Sequence, residues 1–102
     1  MHYVVLIFTG MLLCNCIPHL VSGLLGAPFP TPFAKPRGVG DSSPLVNAVW
    51  GFVNFVVALV LLARHPLALA LDADLLATLA GALVMAVFLA RHFGKVRSER
   101  HA

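Results

Sequence analysis

Charge is scarce in this chain of 102 residues. Only 11% of them are Asp, Glu, Lys or Arg, and just four are acidic: Asp41, Asp72, Asp74 and Glu99. A typical soluble domain carries roughly 25% charged residues. None of the four acids falls inside a long apolar run, which excludes a carboxylate pair for acid–base work in an apolar interior. There is no glycine-rich phosphate loop, no HExxH, no nucleophile elbow and no paired-cysteine metal motif. Catalytic residues, a cofactor and a resident metal are therefore not expected, and the chain does not read as an enzyme. Cysteine is limited to Cys14 and Cys16. Two residues apart on a helix, they point about 200° away from each other and cannot bridge. Cys16 and His19 lie three apart and make at most half of a metal site. The net charge of +3 is too small and too localised for a nucleic-acid surface.

What is abundant is apolar. Hydrophobic residues make up 60% of the chain, and the mean hydropathy is +0.93. Such a composition excludes disorder and points to one small unit in a bilayer, with residues 1–102 forming a single integral membrane domain. Three apolar runs divide it. The first, over about 3–25, is long enough to cross a hydrocarbon core of ~30 Å with some tilt. A cleaved signal peptide needs a basic start, which Met1-His2-Tyr3 lacks, so the run reads as a retained helix. Gly26 suits a left-handed helix cap, and Pro28 prevents continuation.

Residues 26–44, GAPFPTPFAKPRGVGDSSP, hold five of the seven prolines and read as a Pro/Gly-rich loop of turns and extended chain. Phe29 and Phe33 are expected at a membrane interface or folded back against the helix ends. A second helix is expected over about 45–63, capped by Ser43 with Pro44 at its first position and stopped before Pro66. A third is expected over about 67–92. There LALALDAD extends the apolar run backwards, and Arg91, His92 and Gly94 close it. A basic tail then remains at about 93–102.

Three spans place the loop and the tail on one side. That side carries six of the seven basic residues, Lys35, Arg37, Arg91, Lys95, Arg97 and Arg100, against Arg64 alone on the other. The positive-inside rule then predicts an outside N-terminus and a cytoplasmic loop and C-terminus. Asp72 and Asp74 fall on the outer side, where Arg64 and His65 are within reach as partners.

Polar residues inside the spans are where function is sought. In the first they are Asn15, His19 and Ser22, at helical offsets shared with Gly23 and Gly26. The second has Asn47, Trp50, Gly51, Asn54 and Ala58. The third has Thr78, Gly81, Ala82 and Met85. Such stripes serve helix packing, where small residues let backbones approach and Asn side chains bond across helices. They also serve a polar pocket, because Asn15, His19, Ser22, Asn47, Trp50 and Asn54 all fall in the cytoplasmic halves of their helices. Pro18 frees the carbonyl of Cys14, for which Asn47, Asn54, a water or a ligand is the expected partner. His19 is the strongest single candidate for proton or ligand chemistry.

The stretch carrying Asn15, Pro18-His19, Gly23, Gly26, FPTPFAKPRGVGDSSP, Asn47, Trp50-Gly51 and Asn54 resembles small uncharacterised bacterial integral membrane proteins. The resemblance implies an inner-membrane setting and carries no activity with it. The expectation is an all-α membrane protein with the lipid bilayer as its surroundings. It self-associates as a homo-oligomer or serves a partner membrane protein; alternatively it carries a small molecule, ion or proton through the polar cluster.

Overall fold

The structure, a computed structural model, describes residues 1–100. Three helices dominate it: α1 (His2–Leu24), α2 (Pro44–Arg64) and α3 (Ala73–Arg100). All three are long and apolar enough to cross a membrane. Between α1 and α2 lies a two-residue antiparallel pair, β1 (Phe29–Pro30) with β2 (Asp41–Ser42), in which Phe29 faces Ser42 and Pro30 faces Asp41.

The helix ends follow local chemistry. Gly26, at φ 74°, closes α1 in the left-handed region that a side chain disfavours. Its N–H donates to the Gly23 carbonyl while Ala27 N–H donates to that of Ser22, so two orphan carbonyls of the last turn are satisfied. At the start of α2, Ser43 accepts from Val46 N–H at 3.2 Å, and Pro44 takes the first helical position.

The third helix departs from its expected limits at both ends. Residues 67–72 are not helical, because Asp72 is an N-cap: its carboxylate accepts from Leu75 N–H at 3.0 Å and starts the helix at Ala73. At the other end Gly94 does not stop the helix, which runs through the expected tail to Arg100. Tertiary contact overrides the stop signal. Val96 is buried, and Arg100 bonds both the Asp41 carboxylate and the Val39 carbonyl on the loop. Ala102 and its neighbour at 101 lie outside the described residues.

The helices are arranged around α1, which packs against both α2 and α3, whereas α2 and α3 do not pack extensively on each other. The small and polar stripes make these contacts. On α2 the buried positions are Asn47, Gly51, Asn54 and Ala58, one face at helical spacing. A Cβ on Gly51 would sit 2.8 Å from Leu20, and one on Gly23 would overlap the Ala48 nitrogen and lie 2.7 Å from the Pro44 carbonyl. The α1–α3 crossing is tighter still. A Cβ on Gly10 would overlap the Thr78 carbonyl and lie 2.9 Å from Ala82 N, and one on Gly81 would overlap the Ile7 carbonyl. Outward, Phe52, Val53, Val56, Val60, Leu83, Val84 and Phe88 are exposed, an apolar surface suited to lipid rather than water. Cys14 and Cys16 are both free thiols.

These crossings have a measurable consequence. Gly10→Ala and Gly81→Ala should each destabilise the fold by about 1–3 kcal/mol, the usual cost of overpacking. Gly94, with open space around it inside a helix, should gain up to about 1 kcal/mol as Gly94→Ala. Reversible unfolding in bicelles measures all three; equal effects at Gly94 and Gly81 would contradict the crossing geometry.

Candidate functional site

At the loop end of the bundle, polar side chains of α1 and α2 meet in two pairs. Asn54 Nδ2 donates to the Trp50 carbonyl at 2.8 Å, one turn back on its own helix. Its Oδ1 therefore accepts, and Asn15 Nδ2 donates to it at 3.1 Å. One turn further along α1, the His19 Nδ1 lies 2.8 Å from Asn47 Oδ1. Asn47 Nδ2 is committed to three carbonyls, those of Phe29 (2.8 Å), Ser43 (3.1 Å) and Ser42 (3.2 Å). That orientation fixes Asn47 Oδ1 towards the imidazole. A carbonyl oxygen only accepts, so His19 carries its proton on Nδ1, and in the neutral ring Nε2 is left as an acceptor. Asn47 is 0% exposed and His19 2%, so these bonds form without competing water.

The loop completes the site. Phe29 packs edge-on to His19 with ring centroids 5.5 Å apart, and Phe93 of α3 lies 4.6 Å from Phe29. Phe33 meets Trp50 edge-to-face at 5.0 Å. Both phenylalanines thus fold back onto the helix ends. His92 Nε2 donates to the Gly38 carbonyl at 2.6 Å and pins the second half of the loop to α3. Gly38 sits at φ 69°, and a Cβ there would press on the same imidazole at 3.3 Å.

Between these parts lies a cavity of about 280 Å³. Asn15, His19 and Trp50 line it from α1 and α2, Thr31 and Arg37 from the loop, and Phe88, His92 and Phe93 from α3. The Trp50 indole N–H is shielded and has no hydrogen-bond partner among the described residues.

Of the six residues expected to converge, Asn15, His19 and Trp50 line the cavity, while Asn47 and Asn54 do not line it and are joined to it by their hydrogen bonds to His19 and Asn15. Ser22 does not line the cavity; it is half-buried, and its backbone carbonyl is used in the α1 cap. Neither Asn47 nor Asn54 takes up the carbonyl of Cys14, since both amides are engaged elsewhere. Arg37, His92 and Phe93 join the site without having been expected there; the sequence marks Arg37 only as a topology charge and His92 only as part of a helix end. A loop's tertiary fold brings them in, and helical spacing carries no signal of it.

At the far end a second cluster forms. His2 Nε2 donates to the Asp74 carboxylate at 3.0 Å, and its Nδ1 lies 3.2 Å from His65 Nδ1. Asp74 thus pairs with His2, a residue outside the expected set, while Asp72 is used as a cap. The side chains of His2 and Asp74 are 41% and 28% exposed, which keeps this pair weak. Among the described residues no group of three His, Cys, Asp or Glu side chains is arranged to hold a metal ion.

The two clusters predict different costs. Asn47→Ala strands the imidazole donor and buried carbonyls and should lose about 1–3 kcal/mol. It should also speed hydrogen exchange at the Gly38 and Val39 amides of the loop. His2→Ala should cost less than about 1 kcal/mol. A reversal of that order in bicelle unfolding would contradict the structural weight given to Asn47.

No known family model, curated protein or solved structure matches the chain, so its site is read from its own geometry.

Proposed function

We propose that the protein is a small multi-pass membrane component that holds a small ligand in the cavity at its loop end, as a carrier or as a ligand-binding subunit. One observation supports this most. Polar atoms are left over around the cavity after the fold has used what it needs. His19 Nε2 and Asn15 Oδ1 make no hydrogen bond with the described residues, and both side chains line the cavity. Acceptors that line a cavity and are not taken up by the fold are available to a polar occupant.

The setting is the inner membrane of a bacterium, with the N-terminus outside and the loop end cytoplasmic. The positive-inside rule supports this orientation, since Lys35, Arg37 and the basic C-terminal part of α3 gather at one end.

Association with further copies or with a partner membrane protein is the second reading, and the open arrangement of α2 and α3 favours it. Three helices that leave two of their number apart enclose little volume by themselves. The small-residue stripes are already used inside the chain, so association would employ the exposed Val, Leu and Phe faces.

Native mass spectrometry from mild detergent tests both readings. The expected spectrum carries one bound small-molecule mass per chain. Leu89→Phe, which narrows the cavity from α3, should lose that mass while insertion and abundance stay unchanged. A bare chain in every detergent would overturn ligand binding, and the same spectra count subunits, with a lone monomer throughout overturning association.

A further inference from the structure

The cavity's own chemistry narrows the occupant. Arg37 is the one guanidinium or ammonium group among its lining residues, and no acidic side chain lines it. Arg37 is exposed and makes no hydrogen bond or ion pair with the described residues, unlike Arg100, which is taken up by Asp41. An unpaired guanidinium with five donors beside an acid-free cavity is a seat for an oxyanion. The helical wall has the opposite need. His19 Nε2 and Asn15 Oδ1 are acceptors there, and an acceptor is satisfied only by a ligand that brings a hydrogen.

The remaining lining is apolar and ring-rich: Pro30, Pro32, Phe88, Leu89 and Phe93. Phe88 is itself 59% exposed, so this wall continues onto the outer surface of α3 towards Val84, one turn away and also exposed. A space of about 280 Å³ is at the small end for ligand sites, which run from ~300 Å³ upward. It accommodates a head and the first carbons of a chain, and the rest of an apolar chain would run along the exposed face of α3.

We propose that the ligand is a weak-acid amphiphile, a single carboxyl head on an unbranched apolar chain, with the head among Arg37, His19, Asn15 and Trp50 and the chain leaving past Phe88. The proposal rests on the ligand-binding reading above. A carboxyl group meets both walls. Its oxygens accept from Arg37, and in the neutral acid the proton is donated to His19 Nε2 or Asn15 Oδ1. A phosphate head shares the oxyanion chemistry, but its charge of about −1.5 to −2 exceeds what the one guanidinium pairs, and the excess sits in a mostly apolar lining. A neutral alcohol supplies the hydrogen and gives Arg37 no charge to pair with.

Trp50 is the only tryptophan in the chain and lines the cavity, so its fluorescence reports occupancy directly. The test titrates the full chain in maltoside micelles with oleate, lysophosphatidate, oleyl alcohol and oleylamine. Oleate should give a saturable change at one molecule per chain. Oleyl alcohol, oleylamine and lysophosphatidate should each bind at least tenfold more weakly. Arg37→Gln alters an exposed side chain that supports no fold contact and should weaken oleate at least tenfold, while Arg97→Gln, which does not line the cavity, should not. Oleyl alcohol binding as tightly as oleate, or no effect of Arg37→Gln, would overturn the anionic head; lysophosphatidate winning would replace the carboxyl by a phosphate. No saturable response to oleate would overturn the proposal outright. The native spectrum then separates the two failures: a bound mass that Leu89→Phe removes keeps the cavity as a site for another ligand, and a bare chain removes the reading itself.

Discussion

The amide of Asn47 is the junction on which the loop end depends. It is fully buried in the first turn of α2, and each of its polar atoms is used. Its oxygen holds the α1 imidazole, and its nitrogen gathers carbonyls from β1, from β2 and from the α2 cap. In an apolar surrounding a carbonyl left without a partner costs several kcal/mol. A proline-rich segment cannot satisfy itself, because proline brings an acceptor and no donor. The loop therefore borrows its donor from a helix, and the helix is fixed in rotation about its own axis by doing so. The tautomer of His19, the position of Phe29 and the floor of the cavity all follow from that one orientation.

The second constraint is backbone approach. Glycines at both crossings bring α1 within side-chain-free distance of its two neighbours, Gly10 and Gly81 towards α3 and Gly23 and Gly51 towards α2. Without a hydrophobic difference between lipid and side chain, such close packing is what holds helices together in a bilayer. It also sets where space is left. Helices α2 and α3 are both drawn onto α1 and not onto each other, and the gap between them at the loop end is roofed by Thr31, Arg37 and Gly38. The cavity is thus a by-product of tight contact elsewhere, lined by whatever the stripes and the loop present to it.

Much of this was legible in the sequence wherever a helical period or a local cap carries the information. The spacing of Asn47, Gly51, Asn54 and Ala58 marks the buried face of α2, and Gly26 and Ser43 mark helix ends. The misreadings have two causes, one local cap passed over and several long-range contacts. LALAL looks like a continuation of an apolar helix, but one aspartate cap at Asp72 overrides it. Gly94 looks like a stop, but burial of Val96 and the Arg100 contacts carry α3 through it. Arg37 and His92 are 55 positions apart in the chain and meet only because the loop folds back onto α3. Long-range contacts of a loop leave no period to count, so these residues stay invisible until the fold is in hand. His2 is similar: what gives it a role is the meeting of α1's first turn with Asp74 and His65.

The two ends of the bundle then differ in a way composition does not reveal. Both carry histidines beside polar partners. At the far end His2 has both nitrogens engaged, one by a carboxylate and one by a second imidazole, and the pair is open to solvent. Such a cluster closes on itself and needs nothing further. At the loop end His19 is buried with one nitrogen engaged and one not, next to an indole N–H in the same condition. Burial without full pairing is costly for a fold to maintain. The difference in leftover valence, more than the presence of histidine, is what distinguishes the loop end from the far end.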